Sequence, residues 1–552
     1  MSSNDAKPQP QPKGQEDPAT SVMDVAGDLP SGSRFIVLLI ALMVSIFLVA
    51  IDMTIVATAI PRITQEFNSL EDIGWYGSSF FLTISSFAQL WGKAYTYFPL
   101  KWVIITAIVL FEIGSLICAV AQDSPTLILG RAICGAGGAG ITNGCYTIIA
   151  FIAKPESRPA YTGILGAVYG MASVVGPLIG GAFTTDITWR WCFYINLPIG
   201  GFSLVVLGLF FRTPTAAAPK PASLREKVLH MDPLGVILVT CSLICFLLYL
   251  QWGGITKPWS SSEVIGCIVG SVVILAAFVG TQWFLGERAM MVPRLLLTHE
   301  TIPLALYNFF LAGSYFIFVY YLPIYFQSIG GLSAAASAVR NLSLIVGSSF
   351  FGIVSGVSLT MFGYFHWFLW IGSALCAIGG GLLYTLGLQL DTAKYVCYQL
   401  ISGIGAGLCL QVPVIVAQAT TRPEDIATRT AILLFFQTLG GTVFISVAQN
   451  IFTNRLIRYW ADINVSSNVQ EILSVGADDL RAHFSNYELI EVLNAYMVGL
   501  RAAWILGIAC AGAAFVASFG SKYRNIMAPR VPALDSEQSS ESQTNDGEDK
   551  KI

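Results

Sequence analysis

Three ionisable side chains, Asp52, Glu112 and Arg131, lie within long apolar runs of a 552-residue chain. A charge at the centre of a bilayer costs roughly 2.5–3.5 kcal/mol on insertion scales, so it is kept for a function or for a partner. A carboxylate and a guanidinium at matching depth suit one chemistry in particular, the binding and release of a proton as the surrounding field changes. At 1.5 Å of rise per residue, Asp52 and Arg131 both fall on the order of 10 Å below the outer ends of their runs. They can therefore meet, with Asp52 taking up and releasing the proton and Arg131 controlling how tightly it is held. The same pair would also serve as a fixed structural bridge. Glu112, at mid-depth in its own run, is grouped with them for proton coupling, although gating or structure ranks first for it.

Other chemistries find little support. The four histidines, His230, His299, His366 and His483, fall in or beside loops without metal-ligand spacing, so neither a metal nor a cofactor is expected. No nucleophile constellation and no phosphate loop is present, which argues against an enzyme. A net charge of −3 with no basic tract gives nucleic acid no footprint. The eleven cysteines lie mostly within apolar runs and form no C-x-x-C pair, so they read as reduced packing residues. Neutral polar groups are placed inside the runs at Asn143, Tyr307, Asn308, Gln411, Gln418 and Gln437. They suit a substrate cavity, and equally the joining of one helix to another. Tyr315, Phe316, Phe318, Tyr320, Tyr321 and Tyr325 suit stacking on flat ligands or plain packing. Arg340, near a run's end, reads as a snorkelling side chain.

The elements that carry these residues follow from composition. The chain is 55% hydrophobic and 11% charged, against about 25% charged in soluble domains. Continuous rather than alternating apolar runs, each near the roughly 20 residues that cross a bilayer, predict helices and not a barrel. Spans are expected near 35–60, 74–92, 102–121, 127–152, 161–183, 192–211, 233–252, 263–285, 303–327, 334–358, 364–389, 395–418, 431–452 and 498–519, about fourteen in all. An even number returns both termini to one side. Loops on that side carry Lys93, Lys101, Lys154, Arg158, Arg212, Lys220, Arg225, Lys227, Arg288, Arg294, Arg422 and Arg429, whereas the opposite loops carry mainly Arg62, Arg190, Lys257 and Lys394. Both termini are therefore expected in the cytoplasm. The polar tails, 1–33 and 521–552, read as disordered. An outer loop at 453–495 contains Asn464-Val465-Ser466, a glycosylation acceptor.

A duplication is visible when Arg131–Thr162 is laid over Gln399–Thr430 without a gap. Gly135 meets Gly403, Gly137 meets Gly405, Asn143 meets Gln411, and Lys154-Pro155-Glu156 meets Arg422-Pro423-Glu424. The chain then divides into an N-terminal six-helix bundle at 34–211, a loop with two inserted helices at 212–290, and a C-terminal six-helix bundle at 291–520. Two halves rocking around a shared midplane cavity is a transporter plan.

Within the fifth span, Gly163, Gly166, Gly170, Ser173, Pro177, Gly180 and Gly181 fall in one arc of about 100°, with Gly176 beside them. Glycine and proline are costly in a helix interior. A stripe of small residues repays that by letting a neighbouring backbone come close.

"GAVYGMASVVGPLIGGAF" followed by "WRWCFYINLPIG" resembles the antiporter motif of the major facilitator superfamily, in its fourteen-span drug:proton antiporter family and the fungal efflux branch. "AIDMTIVATAIPRI" around Asp52, "FEIGSLICAVA" with Glu112 and "LILGRAICGAGGAG" with Arg131 resemble further motifs of the same family, in the same order. The loop "GKAYTYFPLK" keeps Gly92, Lys93 and Lys101 of a cytoplasmic gate but puts Thr96 where the family usually has an acid. The resemblance implies an all-α major facilitator fold, a proton-coupling role for Arg131, and a glycine stripe that seals helix 5 against the other half.

It further implies a proton-coupled exporter of small amphipathic organic molecules, such as drugs, toxins and secondary metabolites, working by alternating access as a monomer in the plasma membrane. Its partners would be that small-molecule substrate, protons and membrane lipid. Related fourteen-span families supply the rival readings of a vacuolar basic amino-acid transporter and a siderophore transporter. A membrane sensor that transports nothing is the rival of another class.

Overall fold

The computed structural model describes residues 30, 32–67, 69, 72–463, 480–484 and 486–527. Asn464 and nearly all of both tails lie outside the described residues. The described residues form fourteen long helices: α1 (Ser33–Phe67), α2 (Ile73–Tyr97), α3 (Leu100–Val120), α4 (Ser124–Ile152), α5 (Arg158–Ala182), α6 (Asn196–Phe210), α7 (Pro233–Trp252), α8 (Ser262–Leu285), α9 (Thr301–Ser328), α10 (Leu342–Phe362), α11 (His366–Tyr384), α12 (Thr392–Cys409), α13 (Ile426–Asp462) and α14 (Asn486–Ser518). Twelve stretches are long and apolar enough to cross a membrane on hydropathy alone. The two helices without such a stretch are α2 and α4. Every residue of α4 from Cys134 to Ile152 is buried in protein, so its glycines and polar groups face other helices.

The same neighbours recur in both halves. In the first, α1 packs on α5 and α6, α3 on α4 and α6, and α2 on α4; in the second, α9 packs on α13 and α14, α11 on α12 and α14, and α10 on α12. The halves meet along two seams, α2 with α13 and α5 with α10.

Several helices depart from the apolar runs. α13 continues to Asp462, because Leu456 and Trp460 stay buried while Arg455 and Asp462 face outward, and Phe452 packs on Tyr496 of α14 with ring centroids 5.6 Å apart. The tenth span is not one helix. A short turn, Ala334–Arg340, breaks at Asn341 before α10 begins. Asn341 Nδ2 donates at 3.3 Å to the Val319 carbonyl, the group that Pro323, lacking an N–H, leaves free inside α9. The twelfth span likewise breaks at Leu410–Gln411, ahead of Pro413, and resumes as Val412–Thr420.

The inserted pair, α7 and α8, is tied by a buried polar knot. Asp232, held at φ 46°, caps α7 through Gly235 N (2.9 Å) and accepts from Gln282 Nε2 (2.6 Å) and Met290 N (3.1 Å). α7 lies against both α2 and α13, and Asn450 Nδ2 of α13 donates to the Leu250 and Gly253 carbonyls at 2.7 and 2.8 Å.

Candidate functional site

The start of α1 meets the start of α5 through Phe35 and Tyr161, 5.0 Å apart. Arg34 Nε reaches the carbonyl of Phe210 at the end of α6 (3.0 Å), and the segment after α14 docks on the end of α10, with Ile526 N to Gly363 O at 3.0 Å. The two described ends of the chain thus share one face, here the terminal face; the other is the far face.

Asp52, in the middle of α1, and Arg131, in the second turn of α4, form an ion pair with both side chains essentially fully buried. Arg131 Nε also donates to the Tyr76 carbonyl at 3.0 Å, and its guanidinium lies 4.5 Å from the centre of the Phe80 ring. A buried pair of this kind gains from having its remaining polar atoms satisfied, and removing one member costs about 3–5 kcal/mol; Arg131 Nη2 is buried without a hydrogen-bond partner. The second Asp52 oxygen is satisfied by Asn196, the first residue of α6, whose Nδ2 donates to Oδ1 at 3.0 Å and to Ser115 Oγ at 3.0 Å. Sequence reasoning missed Asn196. It is neutral and lies 144 residues from Asp52, so its only signal was an amide inside the apolar "INLPIG". Glu112 stands one turn before Ser115 on α3. Both of its carboxyl oxygens are buried and have no hydrogen-bond partner, and a Cβ at Gly200 of α6 would collide with it.

The glycine stripe of α5 divides in two. Toward the terminal face, a Cβ on Gly163 would come within 2.6 Å of the Gly352 carbonyl of α10, one on Gly166 within 2.6 Å of Gln411, and one on Gly170 within 2.6 Å of Ser349 Oγ. Toward the far face, Gly176 and Gly180 take Thr54 and Ile55 of α1 at the same closeness. Gly181 faces open space, and Pro177 borders the cavity described below. The stripe thus serves the second half along its first turns and α1 along its last.

The terminal side of both seams is shut. Gly92 of α2 lies against Ala431 of α13, and Thr96 Oγ1 meets Thr428 Oγ1 at 3.0 Å. The threonine that stands in the usual acidic position therefore joins the halves without charge. Lys93 Nζ donates to the Glu287 carbonyl at 2.8 Å and Lys101 Nζ to the Gly208 carbonyl at 2.6 Å. Asp425 is held from two directions, by Lys220 at 3.2 Å and Arg294 at 3.1 Å. Gln418 crosses the halves, accepting from Thr162 at 3.1 Å and donating to the Tyr146 carbonyl at 3.0 Å.

A cavity of roughly 250 Å³ occupies the far side of the same interface, bordered by Thr54, Thr58, Ser173, Tyr320, Gln327 and Asn341 among others. The six polar candidates are placed elsewhere. Asn143 donates to the Ala88 and Ala139 carbonyls at 3.1 and 2.9 Å, Tyr307 to the Leu369 carbonyl at 3.1 Å and Asn308 to the Leu433 carbonyl at 3.1 Å. Gln411 packs at Gly166, Gln418 bridges the halves, and Gln437 is half-buried on α13. Tyr320 alone of the six aromatic candidates on α9 borders the cavity.

On the far face, Glu66 at the end of α1 accepts from Trp189 Nε1 at 2.7 Å and Arg190 Nη1 at 2.9 Å, and Arg190 Nη2 donates to the Ala121 carbonyl at 2.8 Å. The Trp189 N–H, then the Arg190 guanidinium, hold the Glu66 carboxyl below its ordinary value. "WRW" is thus a clasp over the far ends of α1 and α3.

Residues 42–445 match the family model described as Major Facilitator Superfamily. The chain is similar to the MFS-type transporter GME11371 of Pestalotiopsis microspora, 45% identical over 497 residues, 90% of this chain and 91% of that one. It is also similar to the MFS-type efflux pump MFS1 of Arthroderma benhamiae, 42% identical over 501 residues, 91% and 94% of the two chains. In fold it is similar to the human organic anion transporter MFSD10, with a TM-score of 0.57 at 12% identity over 89% of this chain and 100% of that one.

Proposed function

The chain belongs to the major facilitator superfamily, and from that premise we propose that it exports small amphipathic organic molecules, secondary metabolites, toxins or drugs, in exchange for protons. Relatives bearing the name efflux pump support export. In this reading the halves 34–211 and 291–520 rock about the cavity, with 212–290 an inserted linker, and the lysine- and arginine-rich loops put the terminal face in the cytoplasm of a plasma-membrane monomer. Cargo is held in the far-side cavity while the terminal side is sealed.

The observation that carries the proton role is the wholly buried Asp52–Arg131 pair on the very helix that walls the cavity. One proton entering down 100 mV contributes about 2.3 kcal/mol and one unit of pH gradient about 1.4 kcal/mol, together enough for a cargo gradient of several hundredfold. Among the described residues, those bordering the cavity include no carboxylate, so a cationic amino acid would find no counter-charge from them, which favours export of uncharged organic cargo over that rival.

The test is a growth-inhibition panel of drugs and fungal metabolites in a host stripped of its own exporters. Resistance to a subset of compounds is expected from the wild-type chain, and its loss from Asp52→Asn at equal surface amount. Export that continues at an unchanged rate after an uncoupler collapses the proton gradient would overturn the reading.

A further inference from the structure

Asp52 is met by two groups, Arg131 on Oδ2 and Asn196 on Oδ1, and the second contact has a property the first lacks. Asn196 is fully buried. Its Nδ2 spends both hydrogens, one on Asp52 and one on Ser115, while its own Oδ1 is buried with no hydrogen-bond partner. An amide carries donors on one side and an acceptor on the other. As it stands, Asn196 offers its donor to an ionised Asp52. Turned half a revolution about its last bond, it would offer the idle oxygen to the O–H of a protonated Asp52.

We propose that Asn196 is a positioning residue for proton coupling, one that hydrogen-bonds Asp52 in both protonation states and biases it toward the ionised, Arg131-paired form seen here. The inference rests on the proton role assigned to Asp52 above. Guanidinium alone cannot do this, because it has no acceptor. The surroundings leave Asn196 little competition. The titratable or charged groups around the Asp52–Arg131 pair are Cys134 from α4, Glu112 and Cys118 from α3, Cys192 from the turn before α6 and Tyr320 from α9, with Tyr76 of α2 beside Arg131 and Tyr169 of α5 beside Met53. Tyr169 donates instead to Met53 Sδ at 2.8 Å and the Tyr76 hydroxyl to Ser124 Oγ at 3.0 Å. Cys118, Cys134 and Cys192 are buried thiols, the Tyr320 hydroxyl donates to the Met53 carbonyl at 3.5 Å, and the oxygens of Glu112 make no hydrogen bond. Ser115 fixes the amide from behind, so its hydroxyl sets the orientation from which the turn starts.

The experiment needs no knowledge of the cargo. Purified full-length protein is titrated with acid and followed by infrared difference spectroscopy, and the protonated-carboxyl band absent from Asp52→Asn is taken as the probe. Loss of a hydrogen bond made to the charged form favours the neutral one. Asn196→Leu, similar in shape but without donor or acceptor, is therefore expected to raise the midpoint of that band by about one pH unit, a tenfold tighter hold on the proton. Asn196→Thr, whose hydroxyl both donates and accepts, should restore most of the shift. If Asn196→Leu does not fold, Ser115→Ala should move the midpoint in the same direction by a smaller amount. A midpoint that stays put in Asn196→Leu, or in Ser115→Ala where that variant stands in, overturns the role of Asn196 and leaves that of Asp52 standing. A wild-type protein in which no such band develops overturns both.

Discussion

Asp52 and Thr54 stand two residues apart on α1 and face opposite ways, Thr54 onto the far-side cavity and Asp52 into the interior of the first half, where Arg131 and Asn196 enclose it. At about 100° per residue, two positions turn a side chain through about 200°, so in the proposed exchange one helix would keep the proton site apart from the cargo cavity. Met53 between them is gripped from both halves, its Sδ by Tyr169 at 2.8 Å and its carbonyl by Tyr320 at 3.5 Å. In the proposed exchange, coupling between the two sites would therefore pass through the position of α1 rather than through a shared contact.

That separation predicts that Asp52→Asn abolishes driven export but leaves binding nearly intact. Equilibrium binding of an exported compound to the purified variant should stay within about threefold of wild type, while proton-driven export falls by more than about tenfold. Equal losses in both would mean that the carboxyl touches cargo.

The divided stripe predicts unequal glycines. Gly163→Ala presses a methyl onto the Gly352 carbonyl of the opposite half, and overpacking of this kind costs about 1–3 kcal/mol. Export should drop while the amount of protein in the membrane holds. Gly181→Ala meets nothing within 4 Å and should export normally. Surface labelling beside an export assay separates the two.

Tyr320 is the aromatic ring of α9 that borders the cavity and also reaches across to α1. Tyr320→Ala is expected to raise KM for flat aromatic cargo by about five- to tenfold, the weight of a ring contact near 1 kcal/mol. Asn143→Ala, which touches only helix carbonyls, should lower thermal stability instead and leave KM in place.

The Glu66 clasp predicts an acid-sensitive contribution to stability. Its carboxyl is held below the ordinary 4.5, so the stabilisation is fully present above that value and is lost as pH falls through the lower folded value. The pair is part exposed, with Glu66 at 46%, and contacts of this kind contribute at most about 1 kcal/mol. Glu66→Gln should therefore lower the unfolding temperature slightly at neutral pH and leave it equal to wild type in strong acid.

The charges in apolar runs were readable because bilayer physics makes each one conspicuous, and the depth of Asp52 and Arg131 placed them at one level before any contact was known. Asn196 was not readable in that way, since an amide is cheap to insert and its partner is remote in sequence. The stripe on α5 followed from helical periodicity. Its division did not, because periodicity says which residues share a face and not which neighbour that face meets. The polar residues of the second half were ambiguous for a related reason, since polarity within a span suits a ligand contact and a helix-to-helix bond alike, and only the carbonyls that Tyr307 and Asn308 hold reveal the bond. Span ends were the least legible. The far-side turns of α13 carry charge on one side and buried Leu456 and Trp460 on the other, a pattern that hydropathy averaged over a window erases.

The inserted pair gives the molecule a sidedness that two equal halves would lack. Of the two seams, the one between α2 and α13 is roofed by α7, stapled to α13 by Asn450, while the segment after α8 is tied to the start of α13 by Arg294 on Asp425. An acyl chain drifting in the bilayer leaflet meets a wall on that flank, whereas α7 and α8 give no such cover to the flank between α5 and α10. Under the proposed export, a hydrophobic passenger dissolved in the membrane would therefore meet a barrier on the α2–α13 flank.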